Sequence, residues 1–304
     1  MRIVLIGQAA FGEAVLQRLV ENQEEVVAVF CPPDPPGAKG NPLRERAESF
    51  GVPVYQPSKM RSPEVYDLFL QLRPDLNVLA FVTDIIPQRI LDAPTLGSIQ
   101  YHPSLLPRHR GGSAINWAIL QGDAKTGLTI FWPDKGIDTG PTLMQKEVAV
   151  APDDTVGSLY FNQLFPLGVE ALAESVRLVR EGKAPKLVQD ESRATYEGLR
   201  DQPMAIDWSQ PYLYVYRVIR GNNPSPGAYT TLLSKRVKVF DSEARAGETG
   251  EPGTVVEIGP GSFSVAASGG AVIVKRVQPA GSPKVKAPEF VQAVGLKVGD
   301  RFGQ

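Results

Sequence analysis

The first half of the chain alternates short apolar strand patterns with helical patterns, and this alternation restricts the fold more than any other feature. Arg2–Gly7 predicts a buried strand, because it is short, rich in β-branched residues and ended by a glycine. The same signal predicts strands at 25–31, 52–55, 76–81, 98–102, 127–132 and 143–150. Helical periodicity lies between or after them, at 11–22, 43–50, 63–72, 114–120 and 155–181. Such alternation forms βαβ units, so we expect an α/β domain with a mostly parallel sheet.

The pattern changes near residue 203. A helix is predicted at 212–219, and glycine-separated strands follow at 229–233, 236–240, 253–258, 262–267 and 271–277. Short strands with glycine turns are typical of a small β-barrel or sandwich. We therefore expect two domains, 1–203 and 204–304, in line with the usual length of about 150 residues per domain.

Charge and residue counts exclude several kinds of site. The chain has 32 basic and 33 acidic side chains, so no charge excess favours binding a nucleic acid or a membrane through the whole surface. One cysteine, Cys31, and two histidines, His102 and His109, allow no internal disulfide, multi-thiolate metal site or histidine-rich metal centre. Because no apolar run approaches the roughly 18–20 residues that span a bilayer, we expect a soluble, cytoplasmic protein.

The turn after the first strand bears on dinucleotide binding. Such sites carry GxGxxG, whereas this turn reads GQAAFG, with alanine at 9 and 10. A Cβ there obstructs the approach of the backbone to a pyrophosphate, and Cys31 stands where an acidic residue would bind a ribose. An NAD-dependent oxidoreductase is therefore a remote alternative. A tight turn, able to bind a small anion at the helix N-terminus, is the favoured interpretation.

A candidate acid–base site comes from residues beyond predicted strands. His102 ends the strand at 98–102, and ligands of open α/β sheets bind beyond the carboxyl ends of strands. Asp138 lies in a later loop, where Gly136 and Gly140 permit a tight backbone. A His and an Asp from neighbouring loops can share a proton transfer. Gln100 lies on the strand face of His102, so both can donate hydrogen bonds to one developing oxyanion.

Structural roles are open for the same residues. His102 could cap a strand, Asp138 could close its own turn, and Gln100 could bond within the sheet. His109 lies between two arginines, which favours a loop position or an anion contact over a role as a base. The residue pattern alone does not choose between these roles and catalysis.

Longer motifs resemble the folate-dependent formyltransferase and formyl hydrolase family. The strongest are HPSLLPRHRG at 102–111 and the loop at 134–140, which fits D-x-G-x-D-T-G. Similar stretches are SAINW at 113–117, IFW at 130–132, QKE at 145–147, PDDTV at 152–156, ATYEGL at 194–199, IDW at 206–208 and IRGNNPSPGAY at 219–229. The resemblance is strongest to 10-formyltetrahydrofolate hydrolase domains and extends to methionyl-tRNA formyltransferases. It implies a Rossmann-like, formyltransferase-type sheet with a smaller OB-like β-barrel at the C-terminus.

The resemblance also implies an enzyme of one-carbon metabolism with 10-formyltetrahydrofolate as co-substrate, without a metal or NAD. His102 would stabilise the oxyanion that forms when water or an amine attacks the formyl carbon, and Asp138 would serve as acid and base. Gln100 stands where transferases of the family carry Asn, and its amide reaches about 1.5 Å further, one covalent bond length. Hydrolase and transferase activity therefore both stay open.

The folate pocket implied by the resemblance has two walls. The pterin would lie against apolar and backbone groups of the loop after the strand at 76–81, with the loop before Asp138 opposite. The residues concerned are Phe81, Val82, Thr83, Asp84, Ile85, Ile86, Gly136 and Ile137. The first of these loops is equally typical of a helix N-terminus with Pro87 as its first residue.

The formyl acceptor implied by the resemblance is water, methionyl-tRNA or a small amine such as an amino sugar. A tRNA requires basic surface, whereas the loop at 32–40 offers only Lys39 and residues 201–304 carry a net charge of +3. This disfavours tRNA without excluding it. A dehydrogenase reaction would need a further large domain and a nucleophilic cysteine, which Cys31 does not supply. The presence of both His102 and Asp138 argues against a non-catalytic folate-binding protein.

Overall fold

The computed structural model describes residues 1–37, 40–247 and 250–303, so Lys39 lies outside the described residues. The described chain forms two compact units. The first comprises Met1–Gly111, Gly127–Val148 and Asn162–Tyr196, and the second is formed by the remaining described residues. Both units are discontinuous in sequence, whereas the sequence prediction places a single boundary at residue 203.

The first sheet has seven strands: β1 Arg2–Gly7, β2 Glu25–Phe30, β3 Val54–Tyr55, β4 Leu76–Ala80, β5 Ser98–His102, β6 Lys125–Phe131 and β7 Thr142–Ala149. Their order in the sheet is β3-β2-β1-β4-β5-β6-β7. Strands β1 to β5 are parallel, and β5 pairs antiparallel with β6, which confirms the mostly parallel α/β sheet. The helices of this half are α1 Ala9–Glu21, α2 Pro42–Ser49, α3 Pro63–Leu72, α4 Gln88–Leu91, α5 Ala114–Gln121, α6 Val156–Leu159 and α7 Phe165–Arg180.

Apolar cores lie on both faces of this sheet. Along β1, Ile3 and Leu5 belong to one core, whereas Val4 and Ile6 belong to another. Since successive side chains of a strand point to opposite faces, the two cores are separated by the sheet. Helices α1 and α7 supply side chains to the first core, and α3 and α4 to the second. Burial on both faces explains why all four residues from Ile3 to Ile6 are apolar.

The turn from β1 into α1 is tight because it packs against backbone. A Cβ on Gly7 would lie 2.3 Å from the carbonyl oxygen of Ala80 in β4. The N–H of Ala9, at the start of α1, donates to Asn41 Oδ1 at 3.1 Å. The glycine at position 7 is therefore accounted for by packing between neighbouring strands.

The C-terminal part of the chain folds into two antiparallel sheets around one apolar core. Its elements are α8 Tyr212–Arg220, β8 Ala228–Leu232, β9 Lys235–Val239, β10 Ser242–Ala246, β11 Val255–Ile258, β12 Phe263–Ala267, β13 Gly270–Val274, β14 Arg276–Pro279, β15 Val285–Lys286 and α9 Ala287–Val294. The strand orders of the two sheets are β10-β13-β12-β11 and β15-β14-β9-β8. This confirms the smaller β domain expected from the sequence.

The long helix expected at 155–181 is interrupted. A π-helical turn, Tyr160–Leu164, separates α6 from α7. Pro166 lies in the first turn of α7 and has no N–H to donate, so a continuous α-helical ladder cannot pass through it. Likewise, α4 begins at Gln88, with Pro87 preceding the helix rather than opening it. No described helix is both long and apolar enough to cross a membrane.

Candidate active site

His102 ends β5 with its imidazole held by a backbone carbonyl. Its Nε2 lies 2.7 Å from the carbonyl oxygen of His109. A carbonyl only accepts, so Nε2 carries the hydrogen, and Nδ1 is the bare nitrogen of the neutral ring. The side chain is buried, and Nδ1 is the nitrogen that faces Asp138.

Side chains of β6 and β7 hold the loop that follows His102. Thr129 Oγ1 accepts the N–H of Leu106 at 3.0 Å. Gln145 Nε2 donates to the Leu106 carbonyl at 2.7 Å and to Thr129 Oγ1 at 3.0 Å. The loop that carries the His109 carbonyl is thereby anchored to the sheet, and this carbonyl sets the tautomer of His102.

Asp138 lies between β6 and β7 in a left-handed backbone conformation, with φ of 54°. Its Oδ2 accepts the N–H of Gly111 at 2.7 Å and lies 3.4 Å from His102 Nδ1. Its Oδ1 accepts no hydrogen bond from any residue in the described ranges. A left-handed conformation costs an L-residue about 1–2 kcal/mol, although Asp tolerates it better than most, so neighbouring contacts must hold the loop.

The turn around Asp138 is closed by a different carboxylate. Asp134 Oδ1 accepts the N–H of Gly136 at 3.0 Å and the hydroxyl of Thr139 at 2.5 Å. Gly140 is required by packing, because a Cβ there would lie 1.7 Å from the carbonyl oxygen of Trp132. Asp134 thus performs the turn-closing role that the sequence left open for Asp138, whose carboxylate faces Gly111 and His102 instead.

The pair His102–Asp138 can hold and move one proton. With Nε2–H donated to a carbonyl, lone pairs on Nδ1 and Oδ2 would face each other unless a proton lies between them. A proton between these two atoms would make the pair either imidazolium and carboxylate or imidazole and carboxylic acid. The separation of 3.4 Å exceeds a good hydrogen bond, and such contacts commonly tighten only when substrate binds.

A cavity of about 400 Å³ opens beside Asp138. Its lining includes Gln100 and five of the residues expected at folate: Asp84, Ile85, Ile86, Gly136 and Ile137. Ile85 and Ile137 are 86% and 64% exposed, which suits them to cover an apolar ring. The Gln100 side chain donates to no residue in the described chain, so its amide is available to a ligand.

The remaining residues of the expected folate loop lie elsewhere. Phe81, Val82 and Thr83 border a separate cavity of about 190 Å³, which Cys31 also lines. Phe81 has a left-handed backbone, with φ of 59°, which turns the chain directly after β4. The resemblance implies that this loop forms one wall of one pocket. In the structure, the two ends of the loop line two different cavities, and these cavities share only Asp84 and Ile86 among their lining residues.

Cys31 is buried, and its thiol is expected to be unreactive in the folded protein. Burial, with a further contribution from Asp34, raises the pKa of Cys31 from 9.0 to about 11. At pH 8 the thiolate fraction is then about 100-fold lower than in the unfolded chain, and we expect disulfide-reagent labelling to slow by at least this factor. The folded state holds the proton more tightly, so this group's contribution to stability falls as pH rises from about 9 to about 11. Equal labelling rates in native and urea-unfolded protein would contradict the assignment.

Sequence reasoning missed a buried cluster around Arg110. The guanidinium of Arg110 contacts Gln189, Glu191 and Tyr196, and Gln189 in turn contacts the Asp138 loop. Arg110 lies within the HPSLLPRHRG motif, but nothing local indicates that its side chain is buried. Gln189 stands between exposed residues in a loop without periodicity.

His109 lies in a loop, as expected, but it is buried and acts on His102 through its backbone. Within the described ranges, no group of three or more His, Cys, Asp or Glu side chains is placed to hold a metal ion.

Comparison with protein families identifies two matching regions. The formyl transferase family matches residues 1–175, and the formyl transferase C-terminal domain matches residues 199–295. Both catalytic candidates, His102 and Asp138, lie in the first region.

Two curated relatives differ in how much of their length the chain covers. Human cytosolic 10-formyltetrahydrofolate dehydrogenase is 48% identical over 248 residues, which covers 80% of this chain and 27% of that protein. The chain thus spans about a quarter of that relative. Methionyl-tRNA formyltransferase of Geotalea daltonii is 39% identical over 309 residues, covering 100% of this chain and 98% of that protein.

A solved structure has the same fold at low sequence identity. It is an N-formyltransferase from Helicobacter canadensis in complex with folinic acid and dTDP-3-aminofucose. The TM-score is 0.72 at 17% identity, covering 91% of this chain and 98% of that chain. This supports the Rossmann-like sheet with an appended C-terminal domain.

Proposed function

The chain belongs to the formyl transferase family, and on that basis we propose that it removes the formyl group of 10-formyltetrahydrofolate and gives it to water. The observation that carries the proposal is the approach of Asp138 Oδ2 to 3.4 Å from His102 Nδ1, beside a cavity of ligand size. The identity of 48% to the human dehydrogenase, whose name contains this folate, supports the substrate.

In the proposed reaction, a water oxygen attacks the formyl carbon while Asp138 takes one proton from that water. The new C–O bond pushes the carbonyl electron pair on to the formyl oxygen. His102, as imidazolium, donates from Nδ1 to this oxyanion, and Gln100 donates from its amide. When the intermediate collapses, the bond from carbon to the folate N10 breaks and Asp138 returns the proton to N10. The products are formic acid, which ionises to formate, and tetrahydrofolate.

We assign the cavity of about 400 Å³ to the folate ring. Ile85 and Ile137 would cover the ring, while Asp84 and the backbone at Ile86 and Gly136 would meet its polar edge. Phe81, Val82 and Thr83 stay proposed folate-loop residues, although they border the smaller neighbouring cavity.

Methionyl-tRNA is a second candidate acceptor, favoured by a basic face of the C-terminal sheet. Strand pairing places Lys238 opposite Tyr229 and Gln278, and Arg276 opposite Lys286. Arg236 lies on the same face, with its guanidinium 4.1 Å from the centre of the Tyr229 ring. Cations beside an aromatic ring suit a phosphate backbone and a stacked base. The relative from Geotalea, which this chain matches along its whole length, supports the same alternative.

One experiment tests both candidates. We expect the pure protein to release stoichiometric formate and tetrahydrofolate from 10-formyltetrahydrofolate in the absence of any amine. Parallel reactions contain charged methionyl-tRNA or a nucleotide-linked amino sugar, with the formyl carbon labelled. Label that passes to methionine, in a reaction weakened by added salt, identifies the tRNA as acceptor. Label on the sugar identifies a small amine, and no consumption of the folate under any condition would overturn the proposal.

A further inference from the structure

Arg110 has a fully buried side chain next to the candidate site, and no step of the proposed reaction uses it. Its Nη1 and Nη2 donate to the two carboxylate oxygens of Glu191 at 2.9 and 2.6 Å. Its Nε and Nη2 donate to Gln189 Oε1 at 3.2 and 2.8 Å, and Nη1 also donates to the hydroxyl of Tyr196. All five N–H donors of the guanidinium are therefore occupied.

Gln189 connects the Arg110 guanidinium to the Asp138 loop. Its Oε1 accepts from Arg110, while its Nε2 donates to the carbonyl oxygens of Asp138 and Gly140 at 2.9 and 2.7 Å. The side chain is 7% exposed. One amide thus bonds backbone on both sides of Thr139, next to the residue held at a positive φ.

The ion pair of Arg110 and Glu191 holds the guanidinium in a fixed position. The hydrogen bonds from Arg110 hold the pKa of the Glu191 carboxyl below its usual range, so Glu191 is a carboxylate at neutral pH. A fork-to-fork contact between a guanidinium and a carboxylate fixes both distance and plane. The backbone N–H of Arg110 also donates to the Thr195 carbonyl at 3.0 Å, so the guanidinium and its backbone are fixed to the same segment.

We propose that Gln189, oriented by Arg110, is a positioning residue that holds the left-handed Asp138 backbone so that Oδ1 faces the attacking nucleophile. The proposal rests on the proposed role of Asp138 as acid and base. The two N–H groups of the Gln189 amide restrain the carbonyls on either side of the turn. Without them the turn can relax from its strained conformation, and a displacement of about 1 Å at a reacting group can cost about 100-fold in rate.

The substitution Gln189→Glu distinguishes an effect on the position of Asp138 from a general loss of protein stability. The new carboxylate keeps the acceptor for Arg110 but turns an acceptor towards two carbonyl oxygens, which repels the Asp138 loop. Gln202→Glu is the matched control, since Gln202 is also 7% exposed and also donates from Nε2, to Asn222 Oδ1 at 2.6 Å, in the other unit. We expect kcat to fall about 10- to 100-fold in the first variant, with KM for the folate changed less than about twofold. The control is expected to lower the melting temperature with kcat unchanged.

A second comparison tests whether Gln189 acts through Asp138. In single-turnover reactions with an Asp138→Asn background, adding Gln189→Glu is expected to lower the residual rate less than twofold, because the group that it positions is gone. Gln189→Met, which keeps length and burial without either polar group, replaces the first variant if that variant fails to fold. Wild-type kcat in the Gln189 variants would overturn the positioning role while leaving the proposed function intact. Full turnover in Asp138→Asn alone would overturn the acid–base role of Asp138 on which the proposal rests, whereas no consumption of the folate by the wild-type protein would overturn the proposed function itself.

Discussion

Replacing Asp138 with Asn is expected to lower formate release from 10-formyltetrahydrofolate by about 1,000-fold or more. Asn keeps the shape of the side chain and one oxygen that can accept the Gly111 N–H, so the loop retains its main contact. It cannot take a proton from water or return one to the departing nitrogen. General acid–base catalysis contributes about 100- to 10,000-fold in enzymes, and here one carboxylate would serve both steps. The measurement is kcat and KM for 10-formyltetrahydrofolate. The melting temperature of the variant, compared with that of the wild type, shows whether the variant is folded.

Asp207→Asn provides the control for this substitution. Asp207 Oδ1 accepts the N–H and the hydroxyl of Ser209, so it closes a local turn, the structural role considered for Asp138 from sequence. Its substitution is expected to leave kcat within about twofold of wild type, because this exposed turn lies in the other unit. If Asp138→Asn behaves like Asp207→Asn, Asp138 is a turn residue and the proposed mechanism fails.

The sheet could be predicted because each strand carries its signal locally. In β1, every side chain from Ile3 to Ile6 is buried, so four consecutive apolar residues mark the strand without any knowledge of its neighbours. β10 lacks such a signal: it lies at the edge of its sheet, and its sequence SEARA contains two charged residues. Charged side chains are typical of edge strands, which they protect from pairing with other chains. A strand defined by its position in the sheet cannot be recognised from its own residues.

Some residues of the candidate site can likewise be predicted from sequence, whereas others cannot. His102 and Asp138 follow strand patterns and lie in recognisable motifs, and the structure brings them to 3.4 Å. The contacts of Arg110 with Gln189 and Glu191 span 79 and 81 residues of chain, and no local pattern encodes them. The resemblance implies that residues 81–86 form one wall of the folate pocket, but the positive φ of Phe81 turns the chain directly after β4, and the two ends of this loop border different cavities. Such long-range pairs and single backbone angles are set by tertiary packing.

His102→Gln is expected to lower kcat by about 100- to 1,000-fold, the usual effect of removing one oxyanion donor. Nε2–H is committed to the His109 carbonyl, so only Nδ1 can serve the formyl oxygen, and only when it is protonated. Because that charge interaction would form mainly in the transition state, KM for the folate should change little. NMR of the two imidazoles provides an independent check, since the variant removes one set of signals and thereby assigns His102. We expect its neutral form to carry the hydrogen on Nε2; a hydrogen on Nδ1, together with wild-type kcat in His102→Gln, would remove His102 from the mechanism and leave Asp138 and Gln100 to carry it.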